Sequence, residues 1–540
     1  MSAIEHRRTA NGWRIRWNET LARDARAQGW WTDRTAADAL LETAASDPGR
    51  VLLIEGSSRV TAAQLAAQAQ QLARAMLSRA APGSVISFML PNWHEAAAIY
   101  FGASLAGMVA HPILPSLRDH DLRFMLADVG SKMVFVPGEW RGFDYAAMLA
   151  RVTAELPNPP EVVVLRGAPD SGHGPHTAYA TLSAETHNTP LAALDADDVR
   201  MVMYTSGTTG RPKGVLHTHN TIAALIAQIG AHWLVDRGDR WVVPSPISHI
   251  GGSIYAFEMP VLLGTRAVLM ERWDAAEAVA LMDAHQITHM AGATPFLRGL
   301  LDAAKAAGTR LPHLKLFICG GASVPPALIR EAAEWFEKAV VSRVYGSTEV
   351  PVTTVGVISR DDIAHAAQTD GRPGIATVKL AEDSEIRAIG PQMLVGYVHE
   401  EDEASAFDAE GFYRTGDQGA WIDDCLTVTG RIKDLIIRNG ENIAPKEIED
   451  LLMGHPAIAE IAIVGLPDPR TGERAVAVIV PRDGNAAPDV AQLGAFLGRL
   501  GMAKFKVPEA VASWPTLPKN DAGKVLKAAI RETLLAGEAQ

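Results

Sequence analysis

The residues best suited to chemistry lie in one short stretch, 204–214, with the sequence Tyr-Thr-Ser-Gly-Thr-Thr-Gly-Arg-Pro-Lys-Gly. It holds three glycines, four aliphatic hydroxyls and the cations Arg211 and Lys213, directly after a strand-like run at 199–203. Glycines let a backbone turn sharply and bring N–H groups against anionic oxygens, while hydroxyls and cations add donors and positive charge. The stretch therefore predicts a loop that binds a polyphosphate. Because Arg211 and Pro212 precede the lysine, it is not a Walker A loop, in which lysine follows glycine directly.

Clusters of glycine, serine and threonine also form solvated linkers, which is the alternative interpretation of this stretch. Linkers seldom lie between a buried strand and an amphipathic helix. Here a helical pattern follows over 221–233, with Asn220 as its predicted N-terminal cap. The phosphate-binding interpretation is therefore the stronger one.

Five further blocks follow the loop along the chain. They are Gly320-Gly321-Ala322, Tyr345-Gly346-Ser347-Thr348-Glu349, Tyr413-Arg414-Thr415-Gly416-Asp417, Gly430-Arg431-Ile432-Lys433-Asp434 and Pro518-Lys519-Asn520-Asp521-Ala522-Gly523-Lys524. With the loop, they make the chain resemble the adenylate-forming superfamily of acyl-CoA synthetases, adenylation domains and luciferases. The resemblance covers residues 204–527 and implies an enzyme that uses ATP, Mg²⁺ and coenzyme A.

The implied reaction has two steps. A carboxylate is a poor acyl donor, so ATP first converts it to an acyl-AMP with release of pyrophosphate, and the thiol of coenzyme A then displaces AMP. The first step brings two anions together, so the protein must neutralise phosphate charge and align the reactants.

The resemblance assigns a role to each matching position. The phosphate loop supplies Thr205, Ser206, Gly207, Thr208, Thr209 and Lys213; the adenine site comprises Gly320, Gly321, Ala322, Tyr345 and Gly346; the ribose contacts are Asp417 and Arg431. Glu349 and Thr205 are implied ligands of Mg²⁺, a cation that prefers hard oxygen donors.

Four positions carry the implied catalytic and conformational roles. Thr348 would contact the α-phosphate, and Lys524 would stabilise the adenylation transition state. Lys433 would be the hinge of a mobile C-terminal domain, and Gly440 would line the pantetheine tunnel after that domain rotates. This chain departs from the common pattern around Lys524 by carrying Asn520-Asp521 and by ending the block in Lys527 instead of arginine.

Substrate recognition rests on the segment 246–252, which resembles the block that lines the acyl pocket, with His249 at its mouth. Amino-acid-activating relatives place an aspartate where this chain has Ile250, and without that carboxylate the desolvation of a substrate ammonium is not offset. The small residues 251–253 favour an apolar cavity of moderate size. Short- and medium-chain fatty acids or alicyclic acids such as cyclohexanecarboxylate are the predicted substrates, and aryl acids are the alternative.

Other classes share these nucleotide motifs. A standalone adenylation domain would load the thiol of a carrier protein, and a luciferase-like oxygenase would form the same adenylate. A non-catalytic binding protein is disfavoured because Lys524, Glu349 and Asp417 are all present.

Composition is consistent with a large enzyme that acts on small molecules. The 540 residues include 50 Lys and Arg against 62 Asp and Glu, a formal charge of −12, which argues against a nucleic-acid partner. With only two cysteines and neither a signal peptide nor a transmembrane segment recognisable, we expect a cytoplasmic protein. The oligomeric state is open, a homodimer included.

Helical patterns such as 61–80 alternate with short strand patterns such as 133–136, which predicts an α/β fold. Later strand patterns, such as 385–389, are more closely spaced. We expect a large N-terminal AMP-binding domain, 1–432, built of layered α/β subdomains and a β-rich subdomain near 380–435. A small mobile α+β domain, 433–540, should follow.

Overall fold

The computed structural model describes residues 4–167, 176–205, 211–321, 324–438, 441–520 and 523–538. Two large sheets dominate the first four hundred residues. The first has eight strands in the order Thr177–Ala178, Glu161–Leu165, Met133–Pro137, Val85–Phe88, Val109–Pro112, Val199–Thr205, Lys213–Thr218 and Gly396–Tyr397. Its last two pairings are antiparallel and the others are parallel.

The second sheet has seven strands and is parallel except for its last pair. The order is Val340–Arg343, Leu316–Cys319, His289–Gly292, Arg240–Val243, Arg266–Leu269, Val51–Glu55 and Ser58–Thr61. Parallel strands need long crossover connections, and the intervening helices supply them.

One hydrophobic core joins these two sheets. It contains strand residues of both sheets and the apolar faces of three helices, Ala62–Leu77, His94–Leu105 and His219–His232. The layered α/β fold predicted from the alternating pattern is therefore confirmed. The remaining α-helices of this part are Glu19–Ala27, Ala36–Ser46, Asp119–Asp128, Tyr145–Ala154, Tyr179–Leu182, Ile250–Ser253, Met259–Leu262, Ala275–His285, Thr294–Ala307, Pro326–Trp335 and Ile363–Gln368.

A four-stranded antiparallel sheet follows where a β-rich subdomain was predicted. Its strands are Thr377–Leu380, Glu385–Ile389, Tyr413–Ile422 and Cys425–Arg431. Three two-stranded pairs complete this part, Glu5–Arg8 with Arg14–Trp17, Glu139–Trp140 with Phe143–Asp144, and Thr354–Gly356 with Arg372–Pro373.

The C-terminal part has hydrophobic cores of its own. Its sheet has the strands Glu441–Ile443, Ile436–Arg438, Gly472–Pro481 and Ile458–Asp468, with Ala510–Ser513 beside Gly472–Pro481. Three helices pack on this sheet, Pro445–Leu452, Val490–Arg499 and Lys527–Glu538. All described residues of its two apolar clusters lie after residue 434, as expected of a unit with a separate core.

One predicted helix cap is wrong. The helix His219–His232 begins before Asn220, and Thr218 caps it by accepting a hydrogen bond of 3.1 Å from the backbone N–H of Thr221. The side chain of Asn220 is buried instead and donates to Asp33 and Asp197. Among the described helices, none has both the length and the apolar character needed to cross a bilayer.

Candidate active site

The carboxylate of Asp417 is held by two side chains from different motifs. The hydroxyl of Tyr345 donates to Oδ2 over 2.8 Å, and Nε of Arg431 donates to Oδ1 over 2.9 Å. The antiparallel register places Asp417 opposite Arg431 on neighbouring strands. Burial, together with the charge of Asp417, raises the pKa of Tyr345 well above its usual range, so its hydroxyl stays protonated and donates.

Gly320 and Gly321 are each required for a different structural reason. A Cβ on Gly320 would lie 2.8 Å from Cγ2 of Val344 and 2.9 Å from its carbonyl oxygen, so a larger residue has no room. Gly321 has a φ of +81°, which disfavours other residues, and faces open space. Gly320 therefore packs closely against Val344, and Gly321 leaves open space beside it. Ala322, predicted to extend this wall, lies outside the described residues.

Glu349 is a buried carboxylate with a phenol beside it. The hydroxyl of Tyr397 donates to Oε1 over 3.4 Å, and the side chain of Glu349 is 8% exposed. A hard oxygen donor in this setting fits Mg²⁺, which takes one or two protein carboxylates and completes its shell with phosphate and water. The adjacent Thr348 has its carbonyl oxygen fixed by Nε2 of His217 at 2.7 Å. Burial lowers the pKa of His217 to about 4, so the ring is neutral near pH 7.

The ends of the phosphate loop are placed by strand pairing. Thr205 ends one strand and lies opposite Lys213, which begins the next. The amine of Lys213 lies 3.4 Å from Oδ1 of Asp402 and 5.4 Å from the ring centre of Tyr397. Arg211 donates to Oδ2 of Asp402 over 2.9 Å. The loop residues between these ends, Ser206, Gly207, Thr208 and Thr209, lie outside the described residues.

Lys524 comes from the C-terminal part and approaches the same site. Its backbone N–H is held by Oδ1 of Asn520 at 2.9 Å, and a Cβ on Gly523 would lie 3.2 Å from Cγ of Pro295 in the N-terminal part. Burial and the positive charge of Arg431 lower the pKa of Lys524, while Asp417, Asp434 and Glu349 act in the opposite direction. Its amine is thus within electrostatic reach of the carboxylates predicted for the ribose and for Mg²⁺.

Lys433 lies between the two parts of the chain. It is in a 3₁₀ turn, Ile432–Asp434, between the last strand of the four-stranded sheet and the first strand of the C-terminal sheet, Ile436–Arg438. Gly440, on the connection that follows this strand, lies outside the described residues.

His249 immediately precedes the helix Ile250–Ser253, at its N-cap position. A five-residue π-helix, Ile254–Glu258, continues this helix. A Cβ on Gly252 would lie 2.0 Å from the carbonyl oxygen of Pro246, so the chain passes itself here too closely for a side chain. Single turns of π-helix are frequent at functional sites.

Tyr255 on this π-helix belongs to a block of buried rings. Its ring stacks on Trp241 with centres 4.7 Å apart, and Trp241 stacks on His289 at 4.9 Å and on Trp233 at 6.3 Å. A Cβ on Gly251 would lie 3.7 Å from Cε2 of Tyr255. These stacked rings, the aromatic wall, therefore lie beside Gly251.

Two residues of this site, Tyr397 and Asp402, were not predicted from the sequence. Both lie on or after the strand Gly396–Tyr397, which pairs with the strand that carries Lys213. The acidic residues 400–403 stand out in the sequence. Because about 190 residues separate them from the loop cations, however, the sequence does not indicate that the two groups meet.

Two family models match this chain. The family model described as "AMP-binding enzyme" matches residues 40–398, and the model "AMP-binding enzyme C-terminal domain" matches residues 447–524. The medium-chain fatty-acid–CoA ligase of Escherichia coli (strain K12) is 31% identical over 542 residues, covering 96% of this chain and 94% of that protein.

A second relative acts on a bicyclic acid, by its name. It is the 3-[(3aS,4S,7aS)-7a-methyl-1,5-dioxo-octahydro-1H-inden-4-yl]propanoyl:CoA ligase of Rhodococcus jostii (strain RHA1), 31% identical with 92% of this chain and 98% of that protein covered. Among solved structures, ATP-bound MatB from Rhodopseudomonas palustris superposes with a TM-score of 0.80 at 26% identity, covering 93% of this chain and 99% of that one.

Proposed function

The chain belongs to the AMP-binding enzyme family and is an AMP-forming acid–CoA ligase, and we propose that its substrate is a short- or medium-chain fatty acid or an alicyclic carboxylic acid. The aromatic wall beside Gly251 is the observation that carries this substrate class. We infer that it limits the depth of an acyl pocket entered past His249. The named substrates of the two relatives, a medium-chain fatty acid and a bicyclic propanoic acid, support the same class.

In the first step, a carboxylate oxygen of the acid attacks the α-phosphorus of ATP, and the bond to the β-phosphate oxygen breaks to release pyrophosphate. We assign Tyr345, Gly320 and Gly321 to the adenine, because Tyr345 supplies a ring for stacking and Gly321 leaves open space at its backbone. Asp417 accepts hydrogen bonds from the ribose hydroxyls, since Tyr345 and Arg431 fix both of its oxygens.

The anionic part of ATP is assigned to the side chains around Glu349. Lys213 and the hydroxyl of Thr205 bind phosphate oxygens, and Thr348 lies beside the α-phosphate. Glu349 and Thr205 would hold Mg²⁺, which when bound neutralises phosphate charge. Lys524 stabilises the charge that develops during acyl-AMP formation, because its amine is electrostatically coupled to Asp417 and Glu349, the carboxylates assigned to ribose and Mg²⁺.

In the second step, the sulfur of coenzyme A attacks the acyl carbon, and AMP leaves with the electron pair of the broken C–O bond. The close approach of Gly523 to Pro295 shows that the C-terminal part contacts the N-terminal part next to Lys524, and we infer that this arrangement serves the first step. We propose that rotation about Lys433 then removes Lys524 and brings the connection containing Gly440 to the pantetheine arm. The domains 1–432 and 433–540 are the units of this movement.

Pyrophosphate release tests the proposal directly. ATP and Mg²⁺ would be supplied with hexanoate, octanoate, cyclohexanecarboxylate, benzoate or an amino acid, with and without coenzyme A. We expect coenzyme-A-dependent turnover with an aliphatic or alicyclic acid. Preference for benzoate would overturn the substrate class, and turnover that coenzyme A fails to accelerate would favour a carrier-protein acceptor.

A further inference from the structure

The two cations of the phosphate loop share one carboxylate. Arg211 contacts Oδ2 of Asp402 at 2.9 Å, and Lys213 contacts Oδ1 at 3.4 Å. The side chain of Asp402 is only 10% exposed, whereas the neighbouring Glu401 is 75% exposed and reaches Arg211 alone, at 3.3 Å. Asp402 is therefore the buried anion at the position where both cations meet.

The main chain fixes this carboxylate in place. Residues 215 and 216 of the strand that begins at Lys213 pair with Tyr397 and Gly396, and the N–H of Val398 donates to the carbonyl of Gly214 over 2.9 Å. The backbone N–H of Asp402 donates to the carbonyl oxygen of His399 over 3.1 Å and so closes a turn. A short side chain on a fixed turn stays where it is, while the long side chains of Arg211 and Lys213 can swing to another anion.

We propose that Asp402 is a placeholder anion, which neutralises Arg211 and Lys213 before ATP binds and competes with the phosphates for them afterwards. The inference rests on the proposed role of Lys213 in binding the phosphates of ATP, and it extends that role to Arg211, the other cation of the same loop. Opposite charges a few ångströms apart in a poorly solvated site attract strongly, so a polyphosphate must displace a favourable contact.

The consequence concerns the product of the first step. Pyrophosphate carries several negative charges, and two uncompensated cations would hold it firmly. Asp402 offers those cations an alternative partner at the moment pyrophosphate leaves. It thereby lowers the affinity for pyrophosphate and hastens its release. Asp402 is therefore a positioning residue, which affects pyrophosphate through Arg211 and Lys213 without contacting it.

The test is the affinity of the full-length, nucleotide-free protein for pyrophosphate in the presence of Mg²⁺, measured by calorimetry. Asp402→Asn removes the buried charge with little change of shape, and we expect pyrophosphate to bind about tenfold more tightly. Glu401→Gln removes one charge from the adjacent, exposed position and is the matched control, with an affinity within about twofold of wild type. Asp402→Glu keeps the charge and should resemble wild type.

Equal affinities of Asp402→Asn and Glu401→Gln, or weaker binding by Asp402→Asn, would overturn the inference. Thermal unfolding checks that each variant is folded, and Asp402→Ser replaces Asp402→Asn if the latter is not. If the wild type and every variant failed to bind pyrophosphate, the proposed phosphate site itself would be wrong, a result distinguishable from equal and measurable affinities.

Discussion

Tyr345 and Asp417, 72 residues apart in the chain, are joined by a 2.8 Å hydrogen bond from the tyrosine hydroxyl to the aspartate. The bond links the ring assigned to adenine with the carboxylate assigned to ribose, so both parts of the nucleoside site are held by one contact. Arg431 fixes the other carboxylate oxygen.

This contact predicts graded effects of two substitutions. Asp417→Ala removes the acceptor for ribose and leaves Arg431 without its partner carboxylate, and we expect kcat/KM for ATP to fall by about 100-fold or more. Tyr345→Phe keeps the ring and loses one hydrogen bond, which predicts a loss of about fivefold. Steady-state kinetics with ATP varied would measure both. Equal losses, or a larger loss for Tyr345→Phe, would contradict the assignment.

The assignment of Glu349 to Mg²⁺ predicts a metal phenotype. Glu349→Gln keeps the size of the side chain and removes its charge, so the Mg²⁺ concentration needed for half-maximal rate should rise, and the saturated rate should fall about 100-fold. The exposed Glu410→Gln is the control of equal charge change, since Glu410 pairs with Lys379, a residue without an assigned role in the site. An unchanged Mg²⁺ requirement in Glu349→Gln would refute the metal role.

The aromatic wall predicts a change in chain-length preference. Tyr255→Ala removes the ring that faces Gly251 and opens space toward Trp241, so the ratio of kcat/KM for dodecanoate to that for hexanoate should rise about tenfold. Tyr255→Phe retains the ring and should leave the ratio unchanged. If Tyr255→Ala lost activity equally with all acids, the wall would not determine substrate length.

The raised pKa of Glu403 predicts that the stability of the protein depends on pH. It is buried near Arg16, and burial raises its pKa from 4.5 to about 7. Between pH 4.5 and 7, Glu403 is deprotonated in the unfolded chain but still protonated in the folded protein. Its contribution to stability is therefore full below about pH 4.5 and is lost as the pH rises through about 7.

Glu403→Gln cannot titrate, and the variant should gain about 3 kcal/mol of unfolding free energy relative to wild type on going from about pH 4.5 to above pH 7. Urea unfolding across this range would measure the difference. Glu400→Gln is the exposed control and should follow the wild-type profile. A constant difference between Glu403→Gln and wild type would exclude a raised pKa for Glu403.

The local patterns in the sequence predicted much of the fold. The helix expected at 61–80 is Ala62–Leu77, begun by a capping box at Thr61, and the strand expected at 385–389 is Glu385–Ile389. Periodicity and capping residues act over one or two turns, so a single sequence displays them. Asn220 was predicted as the cap instead of Thr218 because both are polar residues at the start of the helix. Only the long-range hydrogen bonds of Asn220 to Asp33 and Asp197 explain why its side chain does not cap the helix.

The motifs also identified which residues would gather, because Asp417, Arg431, Glu349 and Lys524 lie within one electrostatic neighbourhood. Tyr397 and Asp402 could not be found in the same way. Their importance depends on the pairing of the strand Gly396–Tyr397 with a strand that ends about 180 residues earlier, and a long-range register leaves no local pattern. The same limit applies to the aromatic wall, whose members Trp241, Tyr255 and His289 come from three separate elements.

The most direct test of the account separates the two half-reactions in Lys524→Ala. Lys524 is electrostatically coupled to Asp417 and Glu349, which suits acyl-AMP formation, and we expect its amine to move away before the thiol attacks. Lys524→Ala should therefore lose acyl-AMP formation by about 100-fold or more, yet form thioester from supplied acyl-AMP and coenzyme A at close to the wild-type rate. Lys519→Ala, five residues earlier and paired with Glu460, is the control and should retain both steps. Equal loss of both half-reactions in Lys524→Ala would contradict a C-terminal domain that exchanges its catalytic residues between the two steps.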